Sequence, residues 1–268
     1  MNPTPDEIMV FCMARQIHDG DVVAQGIATP MTAAALLLAR RTHAPHIYFC
    51  SAIGQGIGTQ PAPLSLTHIE SLWLDRALTT IGFVRAVADT FARLNPKEFF
   101  RPAQVDAHGN FNNIALGRDY RRPRLRLPGS GGIADVTTYL DHAYLYVPRH
   151  SRVTFVPRLD FCTGLGHNPA RQHGTPPHYL VSDLGQFDFA AGRLRLTSLH
   201  PGVTLSDVQA KTGFELDIAP ALSETPLPTA EEMRLLREEI DPLGIRRLEI
   251  LSGSARRELL HTILAQET

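Results

Sequence analysis

Helical and extended periodicities alternate along this chain. Apolar residues recur at helical spacing over residues 6–18, through Ile8, Phe11 and Cys12, before a His18-Asp-Gly-Asp21 turn. Val22–Gln25 reads as a short strand ending at Gly26, and Thr29 with Pro30 supplies an N-cap and first-turn proline for a helix over 31–41. That helix, Met31-Thr-Ala-Ala-Ala-Leu-Leu-Leu-Ala39, is apolar on nearly every side, which predicts burial. His46–Cys50 is the next strand, Ser51–Thr67 a loop rich in Gly, Pro, Ser and Gln, and helical patterns follow at 68–76 and 80–94.

The second half is more extended. Strand–turn–strand signals occupy 101–127, with His108-Gly-Asn110 as a hairpin turn, and a helix is expected over Gly131–His142. Ala143–Val147 is a fully apolar strand, and alternation continues through Leu180–Ser182, Phe187–Phe189 and Leu194–Ser198. Thr204–Thr212 and Thr229–Glu239 read as helices with Thr at the N-cap and acidic first turns. The prolines of 220–228 mark a linker, leaving a helical C-terminal tail over 229–268. Strands alternating with crossover helices predict an α/β fold: a mostly parallel open sheet with helices on both faces, formed by 1–268 as a single domain. Loops at strand C-termini are then the natural ligand site.

Composition narrows the possibilities. The chain has 268 residues and a net charge of −1, so no whole-protein field favours nucleic acid or an anionic membrane. The longest apolar run, Ala33–Ala39, is too short to span a bilayer, and residues 1–8 lack the pattern of a secretory signal. Cys12, Cys50 and Cys162 are an odd set without metal-ligand spacing, which fits reduced thiols in a cytoplasmic protein. None of the twelve histidines pairs at i, i+4, so no metal site is expected.

The sharpest local signal is Gly129-Ser-Gly-Gly132 after the strand ending at Leu127. Glycines let backbone N–H groups converge on one point, and a following helix adds its positive end, so the turn suits an anion or a developing oxyanion. A ligand-free strand-to-helix turn has the same sequence. The asparagines of His108-Gly-Asn-Phe-Asn-Asn113 likewise suit hairpin chemistry alone. Arg118-Asp-Tyr-Arg-Arg-Pro-Arg-Leu-Arg126 reads as a phosphate clamp or as a solvated strand face. His108, His167 and His200 are each more ordinary as structural histidines than as catalysts. No Gly-x-Ser-x-Gly elbow is present.

Gln104-Val-Asp-Ala-His-Gly-Asn110 upstream of Pro128-Gly-Ser-Gly-Gly132, with Leu199-His-Pro-Gly-Val-Thr204 and Thr212-Gly-Phe214, resembles the β subunits of family I CoA-transferases, of the glutaconate CoA-transferase type. Val181-Ser-Asp-Leu-Gly-Gln-Phe-Asp-Phe189 and Glu231–Pro242 are most similar to the β subunits of steroid ring-cleaving CoA hydrolases within that superfamily. The resemblance covers about residues 20–248 and implies the CoA-transferase (NagB/RpiA-like) fold. It also implies an α-subunit partner in an α2β2 assembly, with no nucleic-acid or membrane partner. Coenzyme A would enter only as part of an acyl-CoA substrate, with no bound cofactor. The backbone of Gly131, Gly132 and Gly26 would then supply oxyanion donors, and Gln104, Asn110, Asn112, Ser130, Ser51 and Gln55 would line the substrate.

One departure redirects the chemistry. No Asp or Glu occurs between Asp21 and Glu70, whereas transferases of this type place their acyl-carrying glutamate at the strand end occupied here by Cys50-Ser-Ala-Ile53. Cys50 or Ser51 would need a neighbouring base to substitute for it. The resemblance and the departure together imply a hydrolase that opens a cyclic keto acyl-CoA by water-driven C–C cleavage. A transferase drawing its carboxylate from elsewhere and a non-catalytic ligand-binding subunit are the alternatives. Because no convincing carboxylate stands in this chain's site region, the general base is expected from the partner.

Overall fold

The computed structural model describes residues 2–26, 29–51, 56–60, 64–68 and 75–267. The chain divides into two compact units: Met1–Thr90 with Pro96–Glu98 and Pro226–Thr268, and Phe91–Asn95 with Phe99–Thr225.

In the first unit α1 (Pro5–Ala14) opens on a capping box, the Glu7 carboxylate accepting from Thr4 N–H at 2.8 Å. After β1 (Val22–Ala24), α2 (Pro30–Thr42) starts at the expected proline, and its apolar residues from Met31 to Ala39 are buried except Leu37. There follow β2 (Tyr48–Ser51), β3 (Gly56–Gly58), β4 (Thr79–Thr80), α3 (Phe83–Arg85) and β5 (Lys97–Phe100), whose first two residues belong here. The strand order is β5–β1–β2–β3–β4. The two pairs on β1 are parallel; β2–β3 and β3–β4 are antiparallel.

The second unit begins at α4 (Phe91–Leu94) and takes the end of β5, Phe99–Phe100. Two hairpins follow, β6 (Gln104–Val105) with β7 (Phe111–Asn112), and β8 (Ala115–Leu116) with β9 (Leu125–Arg126). Beyond α5 (Ile133–Tyr139) run β10 (Ala143–Val147), β11 (Tyr179–Ser182), β12 (Gly185–Ala190), β13 (Arg193–Leu199), α6 (Leu205–Lys211) and β14 (Asp217–Glu224), the five strands lying in that order. Pairing is parallel at the two ends, β10–β11 and β13–β14, and antiparallel between them. Ala191 and Gly192, at φ 50° and 77°, make the two-residue turn that allows the β12–β13 hairpin. The α/β class is as expected. The antiparallel ladders arise where such short turns join successive strands, which parallel pairing forbids.

Several boundaries differ from expectation, and strand β3 at Gly56–Gly58 lies inside the span read as loop, where it pairs with β2. Strand β14 runs through residue 224, within the span read as linker, because Ser223 and Glu224 pair in register with Ser198 and Leu199. The helix expected over 131–142 is confined to α5, since Gly132 sits at φ 96° as its N-cap and Leu140 has turned extended. A strand occupies 97–100, where none was foreseen.

The chain returns to the first unit through α7 (Ala230–Arg234), a π-helical turn, a 3-10 turn (Ile245–Glu249) and α8 (Gly253–Glu267). A buried ion cluster fastens this segment to α1. Arg246 donates to Asp6 at 2.9 Å, Glu7 at 3.0 Å and Asp241 at 2.8 Å, and Arg237 donates to Glu7 at 2.7 Å. Burial would raise the Glu7 carboxyl, but Arg237, Thr4 and Arg246 together hold it down at about 2. Glu249 caps α2 by accepting from Met31 N–H at 2.9 Å. Among the described residues, no helix is long and apolar enough to cross a membrane.

Arg246→Ala strips three buried carboxylates of their common partner. Urea denaturation should show a loss of about 3–5 kcal/mol, the cost of an uncompensated buried charge; a loss below about 1 kcal/mol would mean the cluster is not a fastening.

Candidate active site

The sequence-derived site residues fall in both units. Gly26 and Ser51 are in the first; Gln104, Asn110, Asn112, Ser130, Gly131 and Gly132 are in the second. Gln55 lies outside the described residues.

In the second unit, Gln104 and Asn112 face one another across the β6–β7 hairpin. Both are buried, and their amides are engaged. Asn112 Nδ2 donates to Gln104 Oε1 and to the Ala115 carbonyl, each at 2.8 Å, while Gln104 Nε2 donates to Asp160 at 3.2 Å. Asn110 donates to Asp106 at 3.0 Å and accepts from Gly166 N–H at 2.9 Å. These side chains brace a double hairpin. The turn beside it differs. Gly129, Gly131 and Gly132 all have positive φ (103°, 52° and 96°), and Ser130 accepts from Ile133 N–H at 2.7 Å. Among the described residues, the N–H groups of Ser130, Gly131 and Gly132 have no partner. A Cβ on Gly131 would meet nothing within 4 Å, so the turn has open space before it.

The histidines are structural. His167 hydrogen-bonds the Pro177 carbonyl at 2.9 Å, and His108 the Gly192 carbonyl at 2.8 Å. His200 lies buried between Thr225 and the Ser182 carbonyl, and burial lowers its pKa to about 4. His150, unremarked in the sequence, is stacked on Phe155 at 3.6 Å; desolvation above all, with Lys211 adding to it, lowers its pKa to about 3. The arginine run forms the exposed β8–β9 hairpin, where Arg126 stacks over Tyr120 at 4.4 Å.

In the first unit the end of β2 carries no nucleophile poised for attack. Ser51 Oγ is buried and donates to the Gln25 carbonyl at 3.0 Å. The Cys50 thiol donates to the Val23 carbonyl at 3.4 Å, and burial with the neighbouring Glu98 pushes its pKa well up.

That neighbour corrects the expectation that this chain offers no carboxylate here. Ala24 on β1 pairs in register with Glu98 on β5 and with Cys50 on β2, so the three residues form one row across parallel strands. A Cβ on Gly26 would lie 3.9 Å from Glu98 Oε1. Glu98 is 8 % exposed, and among the described residues it makes no hydrogen bond or ion pair. Burial raises its pKa from 4.5 to about 8. Gln25, which follows Ala24 in the chain, has a buried Oε1 without a partner among the described residues. The sequence signal for Glu98 is an acid inside the run Lys97-Glu-Phe-Phe100, which a strand reading begun at residue 101 passes over.

Comparison with known proteins gives a consistent set. Residues 99–211 match the family model described as coenzyme A transferase. The cholesterol ring-cleaving hydrolase IpdB subunit of Mycobacterium tuberculosis is 33% identical, over 93% of this chain and 99% of its own length. The decarboxylase AibA/AibB superposes with a TM-score of 0.78 at 33% identity, covering 92% of this chain and 98% of that one. Glutaconate coenzyme A-transferase from Acidaminococcus fermentans superposes with a TM-score of 0.80 at 25% identity, covering 94% and 99%.

Glu98 makes stability fall with pH. Its unfolded carboxyl loses its proton near 4.5 and the folded one near 8. Between those values unfolding releases a proton, so folding weakens by about 1.4 kcal/mol per pH unit. Glu98→Gln removes that slope. Denaturation of both forms at pH 5 and pH 8 should show the variant gaining several kcal/mol on the parent at the higher pH; a constant difference would mean that Glu98 ionises normally.

Proposed function

Because the chain belongs to the coenzyme A transferase family, whose members are enzymes acting on CoA thioesters, we propose that it is the β subunit of a heteromeric hydrolase. Its reaction opens a cyclic keto acyl-CoA by water-driven C–C cleavage, on a steroid remnant or a related ring compound. The observation that carries this reading is the end of β2. Ser51 and Cys50 stand there in place of a carboxylate, both buried, with the Ser51 hydroxyl donating to the Gln25 carbonyl and the Cys50 thiol pushed well up by burial. The 33% identity to a ring-cleaving hydrolase subunit supports the same choice. So does the 33% identical decarboxylase structure, because it puts a reaction other than CoA transfer on this scaffold.

In the proposed reaction, water adds to the ring ketone and the adjacent C–C bond breaks. The electron pair leaves as an enolate conjugated with the thioester. The unpartnered N–H groups of Gly131 and Gly132 suit the oxyanion that develops, because fixed dipoles need no reorganisation as charge forms. Ser130, in the same turn, would contact the acyl chain. Coenzyme A takes part only as the substrate's handle, and no cofactor is required. Relatives assembled from A and B subunits support an α-subunit partner; the assembly would be α2β2 and the place of work the cytoplasm.

One observation favours a second reading. Glu98 puts a carboxyl beside the strand end where transferases present theirs, so it could carry an acyl group between acids. Its pKa of about 8 keeps it mostly protonated at neutral pH, and a neutral carboxyl is a weak nucleophile.

Borohydride separates the two. The complex with its α partner, incubated with acyl-CoA and then reduced, should keep its activity and carry no reduced glutamyl residue. Trapping at Glu98 would replace the hydrolase by the transferase. Gly131→Val, facing open space but strained at φ 52°, should assemble normally and lose at least about 100-fold in kcat, the worth of an oxyanion donor. Unchanged turnover would remove the turn from the mechanism.

A further inference from the structure

Glu98, Ala24 and Cys50 sit at one level on three adjacent parallel strands, so their side chains share one face of the sheet. Ala24 between them is only a methyl group. The carboxyl of Glu98 therefore lies over the middle strand, close enough to the strand's end that a Cβ on Gly26 would touch it at 3.9 Å. It is buried and makes no hydrogen bond or ion pair among the described residues. Its chain neighbour Lys97 is directed to the opposite face, where it pairs with Asp21 at 2.7 Å. Among the described residues, the titratable groups on this face of β2 are the Cys50 thiol level with it and, two residues earlier, the exposed Tyr48; β1 offers none. An acid buried without a counter-charge costs folding energy, and folding alone gives no reason to keep it.

We propose that Glu98 is the proton-transfer group of this site, serving a β-keto CoA thioester bound over the ends of β1 and β2. The inference deepens the hydrolase reading and rests on it for the order of steps. As the water oxygen bonds to the ketone carbon, the Glu98 carboxylate takes one water proton. The C–C bond breaks with its pair on the carbon α to the thioester, and the resulting carboxylic acid of Glu98 returns the proton to that carbon. The product gains one carboxyl and one C–H, the elements of water, and Glu98 ends as it began. Burial supports this role, because a carboxyl held near pH 8 is matched to both taking and returning a proton at neutral pH. The orphan Gln25 Oε1 at the same strand end is a ready acceptor for a donor on the thioester's pantetheine arm. The partner subunit need not then supply the base.

The test separates proton transfer from ring opening. The complex with its α partner is incubated in D2O with acetoacetyl-CoA, an open-chain β-keto thioester, and deuterium entry at the α-carbon is followed by NMR. Wild-type exchange should rise with pH to a plateau above an inflection near 8. Glu98→Gln should lower exchange by at least about 100-fold while binding acetoacetyl-CoA within about threefold of wild type, and Glu98→Asp should restore part of it. Exchange by Glu98→Gln at the wild-type rate, no exchange by the wild-type complex, or a wild-type profile without that inflection would each overturn the proposal. Ring opening of a 2-oxocycloalkanecarboxyl-CoA is measured alongside. Wild-type exchange that depends on Glu98 but brings no ring opening would sink the hydrolase reading and leave Glu98 standing. Ring opening that survives Glu98→Gln would do the reverse.

Discussion

The parallel register of β5, β1 and β2 is the constraint on which the site depends. It sets Glu98, Ala24 and Cys50 level on one face, and everything distinctive about the site follows from that row. A shift of one residue in the β5–β1 pairing would turn the carboxyl to the opposite face, away from Ala24 and the Cys50 thiol. The small side chain of Ala24 is equally necessary, because a larger residue in the middle of the row would separate the carboxyl from the thiol. Burial then does the rest, raising the carboxyl to about 8 and pushing the thiol well above its ordinary value.

Two treatments of buried charge coexist in the first unit. Asp6, Glu7 and Asp241 surround Arg246, with Arg237 added at Glu7, and each acid has a partner at hydrogen-bond distance. That cluster joins α1 to the C-terminal segment across more than two hundred residues of chain, which is a structural task. Glu98 is as buried as Asp6 or Glu7 yet has none of that compensation. The contrast is the physical basis for assigning structure to one set and chemistry to the other.

The second unit makes a parallel distinction among polar groups. Gln104, Asn110 and Asn112 satisfy one another, Asp106, Asp160 and nearby backbone, so they hold the double hairpin in one shape. The glycine turn a few residues on leaves three successive N–H groups without partners among the described residues. Rigid, satisfied hairpins beside an unsatisfied turn are what a preorganised anion site requires.

Much of this was legible in the residues. The apolar runs, the Thr204 and Thr229 caps and the Ala143–Val147 strand read directly, because helix ends and buried strands are governed by local chemistry. The glycine turn and the family were readable for the same reason: their signals are short and contiguous. Strand pairing was not, since a hairpin turn and a crossover look alike until partners are known, so the antiparallel ladders and the run of β14 through Glu224 came only from the fold. Glu98 is the clearest case. In sequence it is one acid in a charged and aromatic stretch, forty-eight residues from Cys50. Burial, register and the lack of a counter-charge are properties of neighbours brought together in space, and they alone convert an unremarkable glutamate into a proton carrier.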